Sequence, residues 1–231
     1  MLRAVDSGEN DKILTLLSAE LGRISAGLKG VKKAGAKLKF AAQPFCFAEY
    51  VLAKRWDRYT VIGCSETESF YDLRTDIMKF YAASAAAEAA LSLTFEGGEC
   101  AEIFYEIVKT YSNMCTGDEG EALISFLAFA LEKSGYAINT ENCPHCGRSL
   151  LGEDRLRFDM SAGAFTCADC CEGPGASRVT YNVLRKISGK PYEEDFICGD
   201  GRKRALRLIR EYFLYKTDNA FKALSEYIRL L

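Results

Sequence analysis

Histidine is almost missing from this sequence: His145 is the only one in 231 residues. That scarcity excludes the zinc-deaminase pattern, which needs a histidine ahead of its P-C-x-x-C pair, and the HExxH helix, which needs two. No GxSxG elbow and no Walker loop occurs either, so the chain does not read as an enzyme. Proline is scarce, with four residues, and no linker is long or proline-rich. The opening Met1-Leu2-Arg3-Ala4-Val5-Asp6 forms no apolar leader, and no charge-free stretch is long enough to span a bilayer. A soluble protein without membrane association is expected. Hydrophobic residues at 48% suffice for one large globular domain or two modest ones.

Cysteine, by contrast, is abundant at ten residues. Without a leader the reducing cytoplasm is the expected compartment, and there metal ligation is favoured over disulfides. Cys46, Cys64, Cys100, Cys115 and Cys198 read as small buried hydrophobes. Cys143-Pro144-His145-Cys146 and Cys167-Ala168-Asp169-Cys170 are different, because twenty residues separate two CxxC units. That is the spacing of a tetrathiolate structural zinc site, in which each short turn presents two thiolates to one tetrahedral ion. Residues 150–166 can go out and return as a hairpin, with Gly147 and Gly173 giving the turns room. A redox CxxC normally stands alone at a helix start, and a catalytic zinc keeps a position open for water, so neither fits two copies. Cys170 is preferred over the adjacent Cys171 because it keeps the two-residue spacing, and His145 inside the first loop remains an alternative ligand.

The net charge of −2 hides an uneven distribution. Residues 1–80 carry 13 basic against 10 acidic side chains, residues 81–142 carry 2 against 10, and residues 143–231 carry 15 against 12. Between Gly22 and Arg58 nine cations face only Glu49 and Asp57. Arg23, Lys29, Lys32, Lys33, Lys37, Lys39, Arg55 and Arg58 are therefore the candidate contacts to a polyanion, since phosphate binding depends on clustered cations rather than total charge. Lysine-rich segments also serve simply to keep sheet edges apart, which is the bland alternative.

Strand-like runs at residues 12–18, 22–28, 44–52 and 59–64 recur about every ten residues with no helix between them, the pattern of a small antiparallel barrel. Residues 29–37 are then a glycine-rich basic connection. From Asp72 the pattern turns helical: residues 76–93 are alanine-rich, Ile103, Phe104, Ile107, Val108 and Tyr111 form a stripe, and residues 121–133 end before Gly135. Further helices are expected over 177–187 with Ser177 as N-cap, over 201–215, and from a capping Asp218 to Leu231. The fold class is α+β, with a barrel over 1–75 and a helical domain over 76–231 that embeds a zinc module at 141–173.

The string Gly8-Glu9-Asn10-Asp11-Lys12-Ile13-Leu14-Thr15-Leu16-Leu17-Ser18, then Gly22-Arg23-Ile24, Lys29-Gly30-Val31-Lys32-Lys33 and Gln43-Pro44-Phe45, resembles the N-terminal region of the family of the bacterial DNA repair protein RecO. The resemblance extends over nearly the whole chain. Glu68-Ser69-Phe70-Tyr71-Asp72-Leu73-Arg74 looks like that family's join between barrel and helices, and Gly135-Tyr136 followed by the two CxxC units is similar to its zinc-binding forms. The resemblance implies an OB-fold barrel and a helical domain. It also implies a recombination mediator that binds and anneals single- and double-stranded DNA, works with RecR and single-stranded-DNA-binding protein, and helps load RecA, in the nucleoid-associated cytoplasm. The chain departs from the family in two ways. Only Leu2 to Asp6 precede Ser7-Gly8, which predicts a partly open barrel frayed at that edge, and residues 81–142 offer only Lys109 and Lys133 to an acidic partner tail. An RNA-binding or translation-associated OB and zinc-ribbon protein is the alternative, and an interaction scaffold with an acidic middle is a third class.

Overall fold

The computed structural model describes residues 1–192 and 199–231, so Cys198 lies outside the described residues. They divide into two compact units, Met1–Glu119 and Gly120–Leu231. No described helix is long and apolar enough to cross a membrane.

The first unit begins with five strands, β1 (Arg3–Ser7), β2 (Asp11–Ser18), β3 (Gly22–Leu28), β4 (Phe47–Arg55) and β5 (Arg58–Glu68). They form one sheet in the order β1-β2-β3-β5-β4. Alternation along β3 buries Gly22, Ile24, Ala26 and Leu28, as period-two patterning requires. With Leu14, Leu16, Val31, Ala41 and Val61 these apolar side chains make the core of the sheet. Neighbouring strands run antiparallel except β3 and β5, which are parallel and pair only at Ala26–Tyr59 and Gly27–Thr60. Among the described residues β1 and β4 do not pair, so the sheet is an open OB-type barrel rather than a closed ladder. The partly open barrel expected at the β1 edge is what the sheet shows, with β1 itself paired along its length. All five of its residues are in register with β2, from Arg3 opposite Thr15 to Ser7 opposite Asp11, because Met1 and Ala4 pack onto the core. The strand expected at residue 44 starts only at Phe47, because Phe45 adopts a left-handed conformation at φ 66° and turns the chain.

Helices α1 (Asp72–Thr75), α2 (Ile77–Leu93) and α3 (Ala101–Thr116) complete this unit. Asp76 caps α2, accepting from the N–H groups of Met78 and Lys79 at 2.8 and 3.0 Å. Ring contacts join α2 and α3 to the segments just before β4 and just after β5: Phe45 lies 5.7 Å from Phe80 and 5.3 Å from Tyr111, and Phe70 lies 5.6 Å from Tyr111. Each edge-to-face pair adds about 0.5–1.5 kcal/mol to the area it buries.

The second unit contains α4 (Glu119–Lys133), the strands β6 (Leu156–Asp159), β7 (Ala164–Cys167) and β8 (Gly175–Ala176) in the order β7-β6-β8, and α5 (Arg178–Ile187), α6 (Gly199–Thr217) and α7 (Lys222–Leu230). The Ser177 hydroxyl caps α5 by accepting from the Thr180 N–H at 3.1 Å, as the sequence predicts. Asp218 does not cap the last helix. Its N–H donates to the Leu214 carbonyl and its φ is 55°, so it terminates α6, and α7 begins later with Phe221 at its N-cap. The β6–β7 hairpin turns on Gly163 at φ 64°, where a Cβ would stand 2.0 Å from the Tyr212 hydroxyl oxygen, so only glycine allows the ring of α6 to approach.

Seven alanines of α2, residues 82, 83, 85, 86, 87, 89 and 90, are buried, so this helix has no solvent stripe wide enough to absorb bulk. Ala86→Leu is therefore expected to overpack the first unit and cost about 1–3 kcal/mol. A denaturant titration checks this: the midpoint should fall at an unchanged slope.

Candidate metal centre and nucleic-acid face

The sulfurs of Cys143, Cys146, Cys167 and Cys170 all lie within 4.8 Å of one another, so the two CxxC units converge as their spacing predicts and could hold a metal ion. Cys143 and Cys167 are fully buried, whereas Cys146 is exposed and Cys170 half-buried. The first arm is a tight knuckle in which the Gly147 N–H donates to the Cys143 carbonyl and the Cys143 N–H to the Arg148 carbonyl, both at 2.8 Å. Gly147 is left-handed at φ 73° to close it. The second arm hangs from the end of β7, which supplies Cys167 as its last residue.

A tetrahedral ion with metal–sulfur bonds of about 2.3 Å needs sulfurs about 3.8 Å apart. The separations are 3.7 Å for Cys146–Cys167 and 3.8 Å for Cys143–Cys167. These two separations match that value and all six lie within 4.8 Å, so the four-cysteine set could hold a tetrahedral metal ion. Burial works against ionisation of Cys143, but N–H groups of Cys167, Cys146 and His145 outweigh it and hold that thiol down at about 6. Hydrogen bonds to the Cys167 and Cys146 sulfurs push Cys170 up to about 12. Four thiols so close cannot all ionise by themselves, and a divalent cation at their centre relieves that conflict.

The two ambiguous residues find other partners. Cys171 accepts the Gly173 N–H at 3.2 Å, and His145 Nε2 lies 3.2 Å from Asp159 Oδ2. Gly173 fits there because a Cβ would meet the Phe158 carbonyl oxygen at 2.7 Å. The Ser161 hydroxyl and the Ala162 N–H hold the Asp159 carboxyl down at about 2, so it is an anion facing His145. Arg148 spans the two arms, 3.3 Å from Asp169 and 3.6 Å from Glu153.

The eight candidate cations of the first unit separate into groups. Lys29, Arg55 and Arg58 come together on an open cleft of about 1030 Å³ at the β4–β5 hairpin, which Lys12, Trp56 and Tyr59 also line. Lys32 and Lys39 line a second cleft of about 640 Å³ with Arg3 and Lys12. Lys32 pairs with Asp6 at 2.9 Å, and the Lys39 ammonium donates to the Ala34 carbonyl. Lys33 and Lys37 are exposed. Arg23 stands apart: its guanidinium donates to the Leu91 carbonyl at 3.1 Å, near the C-terminus of α2. Sequence reasoning overlooked Arg3, Lys12, Trp56 and Tyr59. The signal was present in Arg55-Trp56-Asp57-Arg58, an aromatic among cations in the short gap between the strand-like runs 44–52 and 59–64, where the structure has a two-residue hairpin tip.

The metal centre yields a direct check. Cys170→Ser should abolish stoichiometric metal in purified protein and lower the melting temperature by about 2–4 °C for each kcal/mol lost. Cys171→Ser should leave metal content unchanged by elemental mass spectrometry.

Comparison with known proteins agrees with this architecture. The family model for the N-terminal part of recombination protein O matches residues 1–70, and the model for its C-terminal part matches residues 74–225. The DNA repair protein RecO of Pelotomaculum thermopropionicum is 30% identical over 230 residues, covering 96% of this chain and 89% of that protein. That of Desulfitobacterium hafniense is 35% identical over 173 residues, covering 74% and 62%. That of Anaeromyxobacter is 32% identical over 176 residues, covering 75% and 69%. With an open five-stranded sheet, a helical part and a four-cysteine cluster in the matched regions, the chain belongs to the recombination protein O family.

Proposed function

We propose that this chain is a non-catalytic, DNA-binding mediator of recombination and repair whose four-cysteine centre holds structural zinc. The observation that carries the reading is the convergence of Lys29, Arg55 and Arg58 on one open cleft, in a chain whose relatives are named as DNA repair proteins. Residues 1–75 act as the DNA-binding barrel and residues 76–231, with the zinc module at 141–173, as the helical domain. Lys29, Lys32, Lys33, Lys37, Lys39, Arg55 and Arg58 neutralise phosphates, and Arg23, apart from them and already donating to the Leu91 carbonyl, adds only its charge. Each cation that reaches a phosphate releases counterions, and lowering the repulsion between two strands favours their pairing while sequence stays encoded in the bases. RecR and single-stranded-DNA-binding protein are the partners, RecA filaments the beneficiaries, and the nucleoid-associated cytoplasm the compartment. Zinc is the metal of choice because four thiolates close the coordination sphere, which leaves no site for water and assigns the ion to folding rather than chemistry.

Two measurements test the reading. Replacing Lys29, Lys32, Lys33, Lys37 and Lys39 with Ala should weaken binding to single-stranded DNA and flatten the log–log salt dependence by up to about 3.5, at about 0.7 per lost contact. An unchanged slope, or a preference for structured RNA over single-stranded DNA, would count against the DNA reading. Elemental analysis should return one zinc per chain, and stoichiometric iron in its place would remove the structural-zinc assignment.

A further inference from the structure

Trp56, the only tryptophan in the sequence, is the most exposed large apolar side chain among the described residues, with 84% of its surface open to solvent. It occupies the two-residue tip between β4 and β5, where Arg55 pairs with Arg58 across the ladder. Its φ of 56° is left-handed, a conformation that bulky L-residues rarely adopt and that glycine or asparagine would take more readily. An indole held in water on a backbone that disfavours it contributes little to the fold. Strain and exposure of this kind concentrate where a side chain meets a ligand.

The surroundings define that ligand. Lys29, Arg55 and Arg58 line the same open cleft as Trp56, while Asp57 and Asp11 are its acidic groups. Asp11 is engaged, accepting the Gly30 N–H at 2.7 Å. The Tyr59 ring in the cleft wall has the Lys54 ammonium 5.4 Å above its centroid, so a cation already covers that ring. Trp56 is the ring left open. A flat π-surface ringed by separate cations suits a flat base attached to a phosphate, and an unpaired strand presents both together.

We propose that Trp56 is a base-stacking residue for single-stranded nucleic acid, gripping the base while the hairpin cations hold the flanking phosphates. This deepens the DNA-binding reading and rests on it. Stacking and charge neutralisation leave separate signatures, because stacking a base releases no phosphate counterion and so does not enter the salt slope.

The test uses the full chain. Its single indole reports from this position alone, so titration with a poly-thymidine strand should quench tryptophan fluorescence, and an abasic strand of equal length and charge should not. Trp56→Ala should weaken poly-thymidine binding about 5- to 150-fold, the range that corresponds to about 1–3 kcal/mol per stacked base, at an unchanged salt slope. Trp56→Phe should recover much of that loss. Trp56→Gly accepts the left-handed backbone without strain, so it should bind as weakly as the Ala variant at an equal or higher melting temperature, which separates lost stacking from misfolding. Equal quenching by the abasic strand, or wild-type affinity in the Ala variant, would overturn the stacking role and leave phosphate binding standing. Failure of the wild-type chain to bind either strand at low salt would overturn both.

Discussion

The convergence of four cysteine sulfurs within 4.8 Å is the constraint around which the second unit is arranged. Two segments twenty residues apart in sequence must return to one point, and the β6–β7 hairpin is the shortest ordered route. That hairpin is fixed at both ends. At one end Cys167 closes β7 and enters the sulfur cluster; at the other Gly163 lets Tyr212 of α6 approach. Between them Phe158 and Phe165 pair across the ladder, with ring centroids 5.2 Å apart, and Phe165 and Phe158 reach Tyr181 and Tyr212 at 5.2 and 5.5 Å. The aromatic core thus sits on a hairpin that the sulfur cluster fixes. Arg148 adds a second tie from the first arm to Asp169 in the other. The buried Arg185 and the Tyr181 hydroxyl both donate to the Thr140 carbonyl, which braces the chain just ahead of Cys143.

Much of this was legible in the sequence because it depends on local rules. A CxxC unit is a short-range object, and two of them at the right separation specify convergence without any knowledge of the fold. Strands β2, β3 and β5 and helices α2 to α5 follow from alternation, alanine content and capping residues, which act within a few positions. Errors fell where a residue serves two readings. Asp218 is a good N-cap by type, but its position one turn beyond Leu214 makes it the end of α6. Pro44-Phe45-Cys46 reads as strand, yet Phe45 is left-handed because its ring is drawn to Phe80 and Tyr111, a long-range demand that no window could register. Arg23 counted as one of nine cations in its segment, and only the fold reveals that it is occupied by the Leu91 carbonyl. Trp56 carries no pattern signal of its own in the sequence; its exposure follows from the two-residue turn that β4 and β5 leave between Arg55 and Arg58.

A chain with a net charge of −2 can still present a polyanion with a basic face, because charge is sorted along single strands. The β4–β5 pair carries Lys54, Arg55 and Arg58 at its hairpin end and Glu49, Glu66 and Glu68 at the other, with Ala48 opposite Glu66 and Phe47 opposite Glu68. β5 runs eleven residues from Arg58 to Glu68, which at about 3.3 Å per residue places the two ends roughly 33 Å apart. The screening length at physiological salt is about 8 Å, so the far carboxylates are nearly invisible from the hairpin. Asp57, at the tip, is the acid of this strand pair close enough to matter, with Asp11 of β2 the other acid in the cleft. The rigid ladder therefore does what flexible charge placement could not: it keeps opposite charges of one strand pair from neutralising each other, and holds the cationic end, with its exposed indole, out in solvent. Net charge is a poor guide to such a surface; the position of charges along a strand longer than the screening length decides which partner it can meet.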